Sequence, residues 1–285
     1  MNTATGSDDP RDYLRDQGFD SYTEQDHATW RTLARRQREI LQGRIAGAFL
    51  EGLDALGIGE TGIPDFRVLN DRLKVATGWE VVAVPGLIPD LAFFRLLADR
   101  KFPAGFWIRK PEQLDYIEEP DVFHDVFGHV PLIMQPVYAD YLQAYGKAGL
   151  QAAEHGALKR LARLYWYTVE FGLAQTQQGL RIVGAGIASS PSETVFALES
   201  PSPNRVRFDL ARVMRTLYRI DDFQETYFVL DGTEAWPTLD LDKLIPIWKR
   251  LEGLDDLEPG QLLADDVVLA RGDGSYHRDH KRPAA

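Results

Sequence analysis

Glu119-Pro120-Asp121-Val122-Phe123-His124-Asp125-Val126-Phe127-Gly128-His129-Val130-Pro131 is the stretch on which the reading of this chain turns. It sets two of the six histidines five residues apart, with carboxylates before and between them, against an apolar background of Val122, Phe123, Val126, Phe127 and Val130. Polar, metal-competent groups in so apolar a segment need hydrogen-bond or ligand partners, because burying them alone costs free energy. On an ideal α-helix a separation of five turns two side chains apart by roughly 140°. The pattern is therefore His-x-x-x-x-His and not the four-spaced His-Glu-x-x-His of a zinc protease. A distortion near Gly128 lets two imidazoles converge. From these residues alone, two hydrogen-bonded core histidines and two metal ligands awaiting a third both stand.

Outward from that stretch, composition narrows the chemistry. There is no cysteine among the 285 residues, which excludes disulfides, iron–sulfur clusters, thiolate zinc sites and thiol catalysis. A bound metal must use histidine and carboxylate. Hydrophobic residues make up 44% and aromatic residues 11%, enough for one sizeable core. The net charge of −11 argues against nucleic acid or an anionic membrane as partner. The residues after Met1 are polar and acidic and do not read as a signal peptide. No run of 18 apolar residues occurs. The expectation is a soluble, cytoplasmic protein.

The periodicities predict a mainly α chain with a few short β-strands. Residues 1–20 read as a mobile tail and 21–285 as one domain. Thr23-x-x-Asp26 resembles a capping box that opens a long amphipathic helix over 24–56. Ile63 to Thr77 reads as helix, with Gly78 just past its end. Trp79 to Val84 and Gly105 to Arg109 read as extended, and Pro85 to Pro89 as a turn into a short helix. Helices are expected over 132–150, 158–178, 206–217 and 239–251. Leu180 to Val183 and Tyr227 to Leu230 read as strands, a turn follows at 184–186, and a short helix starts near Ser189. No repeat, linker or sustained heptad divides the chain.

Glu170 is the candidate third ligand, within the aromatic run Leu164-Tyr165-Trp166-Tyr167-Thr168-Val169-Glu170-Phe171-Gly172. A carboxylate in such a setting is paired or holds a cation. Trp166 lies one helical turn before it on the same face. Two His and one carboxylate with open positions form the facial triad of non-haem Fe(II) oxygenases. The alternative is an ion pair with an arginine such as Arg163 or Arg181. Arg109 ends an aromatic segment fifteen residues before His124; a guanidinium there can hold a carboxylate in bidentate fashion, or it is simply a surface arginine.

The central stretch, the Tyr-Trp-Tyr-Thr-Val-Glu-Phe-Gly run whose Glu170 stands forty-one residues after His129, and Gly184-Ala185-Gly186-Ile187-Ala188-Ser189-Ser190 resemble, in order and spacing, the aromatic amino acid hydroxylases, most closely the bacterial members. The resemblance runs from about Asp65 to about Gly232. It implies the family's single-domain catalytic fold, an Fe(II) site, a tetrahydropterin such as tetrahydrobiopterin as cofactor, and O2 as co-substrate. The implied reaction is the conversion of L-phenylalanine to L-tyrosine, the free amino acid and pterin being the partners. By motif position the implied iron ligands are His124, His129 and Glu170. Arg109 is the implied binder of the substrate carboxylate, with Tyr116 and Trp166 at substrate-pocket positions. Gly86, Leu87, Ile88, Phe93, Asp125 and Tyr165 fall at pterin positions, and Ser189 and Asp121 support the ligand histidines. Animal members carry Glu where Asp125 stands and Thr where Ile117 stands, so contacts there differ. They also add a regulatory domain and a tetramerisation helix; room for neither implies a monomer. The alternatives are a tryptophan or tyrosine hydroxylase on the same scaffold, or a helical binding module with a structural metal site.

Overall fold

The computed structural model describes residues 6–115, 117 and 119–280. The chain is mainly helical with a few short strands, as its periodicities predict. Helix α1 (Glu24–Leu41) starts at the expected box: the Thr23 N–H donates to Asp26 Oδ2 at 2.8 Å, and the Asp26 N–H donates to Thr23 Oγ1 at 3.2 Å. The continuous helix expected to residue 56 breaks at 42–46, and α2 (Gly47–Leu56) follows. A strand edge claims that backbone: the Ala46 N–H donates to Ile182 O at 3.0 Å, and the Ile182 N–H to Arg44 O at 2.9 Å. Helix α3 (Phe66–Thr77) begins later than Ile63 because Asp65 caps it, accepting from the Arg67 N–H at 2.9 Å.

Strands β1 (Glu80–Val84) and β2 (Lys101–Gly105) pair in parallel, joined by α4 (Asp90–Ala98). The second strand thus ends at Gly105 instead of starting there. Its register pairs Val84 with Gly105, and beyond that point β1 offers no further partner. A π-helix (Phe123–His129) runs into α5 (Val130–Ile133), and α6 (Pro136–Glu154) follows.

The helix expected over 158–178 is three elements: α7 (Leu158–Tyr165), a second π-helix (Trp166–Glu170) and β3 (Leu173–Thr176). A two-residue turn leads to β4 (Gly179–Ile182), antiparallel to β3. The expected turn at 184–186 winds into α8 (Ala185–Ala188), and α9 (Pro191–Glu199) follows. Residues 206–217 form no single helix: β5 (Asn204–Arg207) precedes α10 (Leu210–Arg215), which Asp209 caps by accepting from Arg212 N–H at 2.8 Å. Strand β6 (Thr226–Leu230), α11 (Leu241–Leu251), β7 (Val268–Ala270) and α12 (Ser275–Asp279) complete the order. The larger sheet runs β4-β3-β6-β5-β7, with the two central pairings, β3–β6 and β5–β6, parallel.

One apolar core unites these parts, and it grips the first π-helix. Phe123 and Phe127 stack at 4.7 Å, and Trp30 meets Phe123 edge-on at 5.3 Å. At the amino end, the mobile-tail reading needs correcting for residues 13–17. Tyr13 and Leu14 pack beside Val84 and Ile88, and the Arg15 N–H donates to Ala83 O at 2.9 Å. The Gln17 carboxamide donates to Pro64 O and accepts from the Phe66 N–H, both at 2.8 Å, sealing the start of α3. At the other end, residues 256–279 fold back onto the core. Arg163 holds Asp256 at 2.6 Å, the buried pair Arg212–Asp266 closes at 2.8 Å, and β7 pairs with β5. Among the described residues no helix is long and apolar enough to cross a membrane.

Candidate active site

The awkward spacing of the two histidines is resolved by the backbone. A π-helix closes i→i+5 hydrogen bonds, so residues five apart share a face. His124 and His129 accordingly point the same way, their Nε2 atoms 3.3 Å apart. The second π-helix ends on Glu170, with the Phe171 N–H donating to Trp166 O at 2.8 Å across the same i→i+5 interval. It brings Glu170 Oε1 to 3.2 Å from His129 Nε2, and Oε2 to 3.7 Å from His124 Nε2. One donor atom from each of the three residues lies within 4.8 Å of the others. The arginine alternatives for Glu170 are engaged elsewhere: Arg163 pairs with Asp256, and Arg181 donates to Leu180 O at 2.8 Å.

Two glycines let Glu170 reach this place. A Cβ on Gly184 would stand 2.3 Å from Glu170 O, and one on Gly186 would stand 3.1 Å from its Oε2. The Gly186 N–H donates to the Glu170 carboxylate. Burial opposes ionisation of Glu170, but the two imidazoles and that N–H outweigh it and hold its carboxyl below the usual range. Burial pushes His124 down to about 4, against the pull of Glu170, so the ring is neutral at pH 7.

Its tautomer follows from Ser189. The Ser189 hydroxyl donates to Ala185 O at 2.9 Å, so at 2.9 Å from His124 Nδ1 it accepts the ring proton. The Nε2 lone pair of His124 is left facing His129 and Glu170. Two imidazoles and one carboxylate, converging on one point, fit a divalent first-row metal.

Arg109 is not a surface residue. Its Nε donates to Asp121 Oδ2 at 2.8 Å and its Nη2 to Oδ1 at 2.9 Å, with the two side chains 5% and 0% exposed. The guanidinium also lies 5.6 Å from the Phe123 ring centre. Asp121 Oδ1 further accepts from the His124 backbone N–H at 3.0 Å, so one carboxylate ties Arg109 to the first histidine. Asp125 is turned towards β2, where its Oδ2 accepts from the Gly105 N–H at 2.7 Å; burial raises its carboxyl to about 7.

Tyr165 stacks near His129, with ring centres 6.3 Å apart, and Phe93 meets Tyr165 edge-on at 5.9 Å. Gly86, Leu87 and Ile88 form the turn before α4; Gly86 takes φ +152°, a conformation suited to glycine, Leu87 is 55% exposed, and Ile88 packs with Val84, Ala92 and Leu96. Trp166 stacks on Tyr218 at 4.4 Å and lies 4.8 Å from Phe171. Tyr116 lies outside the described residues. Sequence reasoning missed Tyr218 and Gln224, which meet Trp166 across more than fifty residues. No local pattern marks them; the one available signal is an aromatic and an amide in a short polar loop before a strand.

Another buried carboxyl, Glu193 on α9, accepts from the Tyr227 hydroxyl and the Gln224 backbone N–H. Burial nevertheless raises it from 4.5 to about 7. The fold therefore binds this proton more tightly than the unfolded chain does. The resulting stabilisation is complete below pH 4.5 and is lost as pH rises from there to about 7. Urea unfolding at a series of pH values should show Glu193→Gln flattening the stability profile across that window, by about 3 kcal/mol relative to the unsubstituted protein. Parallel profiles for the two proteins would remove Glu193 as the source.

Comparison with known proteins places these features in a family context. A family model described as biopterin-dependent aromatic amino acid hydroxylase matches residues 18–238. Phenylalanine-4-hydroxylase of Caulobacter vibrioides is 55% identical over 265 residues, covering 93% of this chain and 90% of that protein. The crystal structure of Chromobacterium violaceum phenylalanine hydroxylase with bound iron(III) and oxidised cofactor 7,8-dihydrobiopterin superposes with a TM-score of 0.87 at 53% identity, covering 94% of this chain and 96% of that one. The iron- and phenylalanine-bound structure of the same enzyme gives a TM-score of 0.84 at 51% identity, covering 94% and 97%.

Proposed function

This chain belongs to the biopterin-dependent aromatic amino acid hydroxylase family, and from that membership we propose that it is a phenylalanine 4-monooxygenase, converting L-phenylalanine to L-tyrosine with O2 and a tetrahydropterin at a non-haem Fe(II) centre. The observation that carries the reading is the convergence of His124, His129 and Glu170 from two π-helices. Relatives of this identity, named as hydroxylases, favour an enzyme over a binding module with a structural metal.

His124, His129 and Glu170 hold the iron in this reading. When bound, iron and pterin together supply the activation of O2 that no side chain of the protein can provide. The chain's own part is placement. Ser189 keeps the His124 Nε2 lone pair free. Arg109, braced by Asp121, takes the carboxylate of the amino acid and so fixes one end of the substrate. Trp166 lines the substrate ring, and the rings of Tyr218 and Phe171 back the indole and exclude water. Gly86, Leu87, Ile88, Phe93, Asp125 and Tyr165 receive the pterin. Para attack then follows from geometry, because the carboxylate anchor sets how far the ring reaches. Residues 21–285 act as one catalytic domain, with residues 13–17 packed against it. The protein works in the cytoplasm, a reading its cysteine-free composition supports, and as a monomer, which light scattering at a one-chain mass tests.

The test is direct. Metal-stripped protein is reloaded with Fe(II), supplied with a tetrahydropterin and O2, and offered phenylalanine, tryptophan and tyrosine in turn. Tyrosine formed from phenylalanine with the highest kcat/KM is the expected result. A higher kcat/KM on tryptophan or tyrosine would transfer the assignment to another hydroxylase on this scaffold. No hydroxylated product from any of the three would overturn it.

A further inference from the structure

Gln224 lies in the loop 216–225 between α10 and β6, and it is 1% exposed. Its carboxamide oxygen accepts from the Trp166 indole N–H at 3.0 Å and from the Arg219 backbone N–H at 3.3 Å. Its carboxamide nitrogen donates to Arg219 O at 2.8 Å. One amide group therefore closes the loop on itself and ties it to the indole. The Gln224 backbone N–H is anchored in turn on Glu193. Tyr218, in the same loop, lays its ring on the Trp166 indole with an interplanar angle of 18°. From the outer side α12 closes on the loop: His277 Nε2 donates to Phe223 O at 2.8 Å, and the Tyr276 hydroxyl donates to Asp222 Oδ1 at 2.9 Å. The indole that all this holds opens the π-helix ending on Glu170.

We propose that Gln224 is a positioning residue for the aromatic substrate: accepting from Trp166 Nε1 while gripping both backbone groups of Arg219, it fixes the indole plane and the Tyr218 ring stacked on it as one rigid wall. The inference rests on the phenylalanine hydroxylase reading. An indole N–H is donor only, so without this acceptor it is left unpaired or the ring turns to find water. A wall that turns no longer sets the ring of the substrate, and a misplacement of about 1 Å costs on the order of a hundredfold in rate.

Gln224→Met keeps length and removes both hydrogen-bonding groups; Gln224→Glu keeps an oxygen for the indole and for the Arg219 N–H. In iron-loaded protein, Gln224→Met is expected to weaken phenylalanine binding, measured by calorimetry, by roughly five- to thirtyfold. Tyrosine formed per pterin oxidised should fall below about half that of the unsubstituted enzyme, with iron content and pterin KM within about twofold. Gln224→Glu should restore both readouts to within about threefold. On a Trp166→Phe background, Gln224→Met should add less than about twofold, because its route of action is already gone.

Phenylalanine affinity and pterin coupling unchanged in Gln224→Met would overturn the proposal. So would a full further loss on the Trp166→Phe background, or parallel loss of iron, pterin and phenylalanine binding, which marks a merely structural residue. Should Gln224→Met fail to fold, Gln224→Glu decides: retained phenylalanine affinity supports the acceptor role, and parallel loss of iron, pterin and phenylalanine binding refutes it. The calorimetric comparison needs no turnover. It therefore fails independently of the parent reading, which fails when the unsubstituted holoenzyme makes no hydroxylated product.

Discussion

Glu170→Ala is expected to yield a folded protein that retains less than about a tenth of the iron of its parent and forms no measurable tyrosine. The three donors are unequal. His124 and His129 bring imidazole nitrogens, and Glu170 brings the one negative charge of the set. Without it a divalent cation would sit between two imidazoles in a buried pocket with no counter-charge, where desolvation is most costly. Folding should survive, because among the described residues the carboxylate makes no ion pair with an arginine or lysine, and its removal relieves the core of a buried anion. Metal analysis of the purified protein, with circular dichroism as the folding control, checks the result. Full iron occupancy with turnover intact would show the ligand set to be wrong. Glu170→Gln is the finer probe: it preserves shape and one oxygen but not the charge, so its iron affinity should fall between the two.

Arg109→Ala is expected to do two separable things. Phenylalanine binding should weaken by roughly 10- to 100-fold, the loss of a charge-assisted bidentate anchor. Stability should also fall by about 3–5 kcal/mol, because Asp121 is left fully buried without its counter-charge. Arg109→Ala combined with Asp121→Asn distinguishes them. Neutralising the stranded carboxylate should recover much of the stability while phenylalanine affinity stays low. Urea unfolding and calorimetric titration with phenylalanine read the two effects on the same samples. If affinity returns along with stability, Arg109 serves the fold and not the substrate. Iron content should change much less than phenylalanine affinity. Asp121 keeps its bond to the His124 backbone N–H in either variant, since both carboxylate and carboxamide offer an acceptor oxygen.

The two large corrections to the helical reading share a physical origin. Residues 24–56 and 158–178 both carry helical periodicity, yet both are interrupted where the chain meets a strand. In the first, Arg44 and Ala46 give their backbone groups to Ile182. In the second, Phe171 and Gly172 leave the helix so that β3 can join β6, and the Val183 N–H bonds to Gly172 O at 3.1 Å. Side-chain periodicity records which face is buried, and it does not record when a distant strand competes for the main chain. The capping positions Thr23 and Gly78 were legible because a cap acts within one turn of its helix.

The candidate site divides along the same line. The sequence by itself determined which atoms could bind a metal: without cysteine, only imidazoles and carboxylates remain, and their order along the chain marked His124, His129 and Glu170. It also marked Arg109 as either an anchor or a surface charge and could not choose. Tertiary structure removed the surface reading, by burying Arg109 against Asp121. It likewise widened two helical turns into π-helices, without which histidines five apart would diverge. Such a turn is rarely favoured by local propensity; here Phe123 and Phe127, stacked on each other, with Trp30 edge-on to Phe123, hold the first one in place. Gln224 and Tyr218 joined Trp166 only in the folded chain. Residue chemistry is a property of each position and survives in the unfolded chain, whereas convergence across forty to sixty residues exists only once the core has closed.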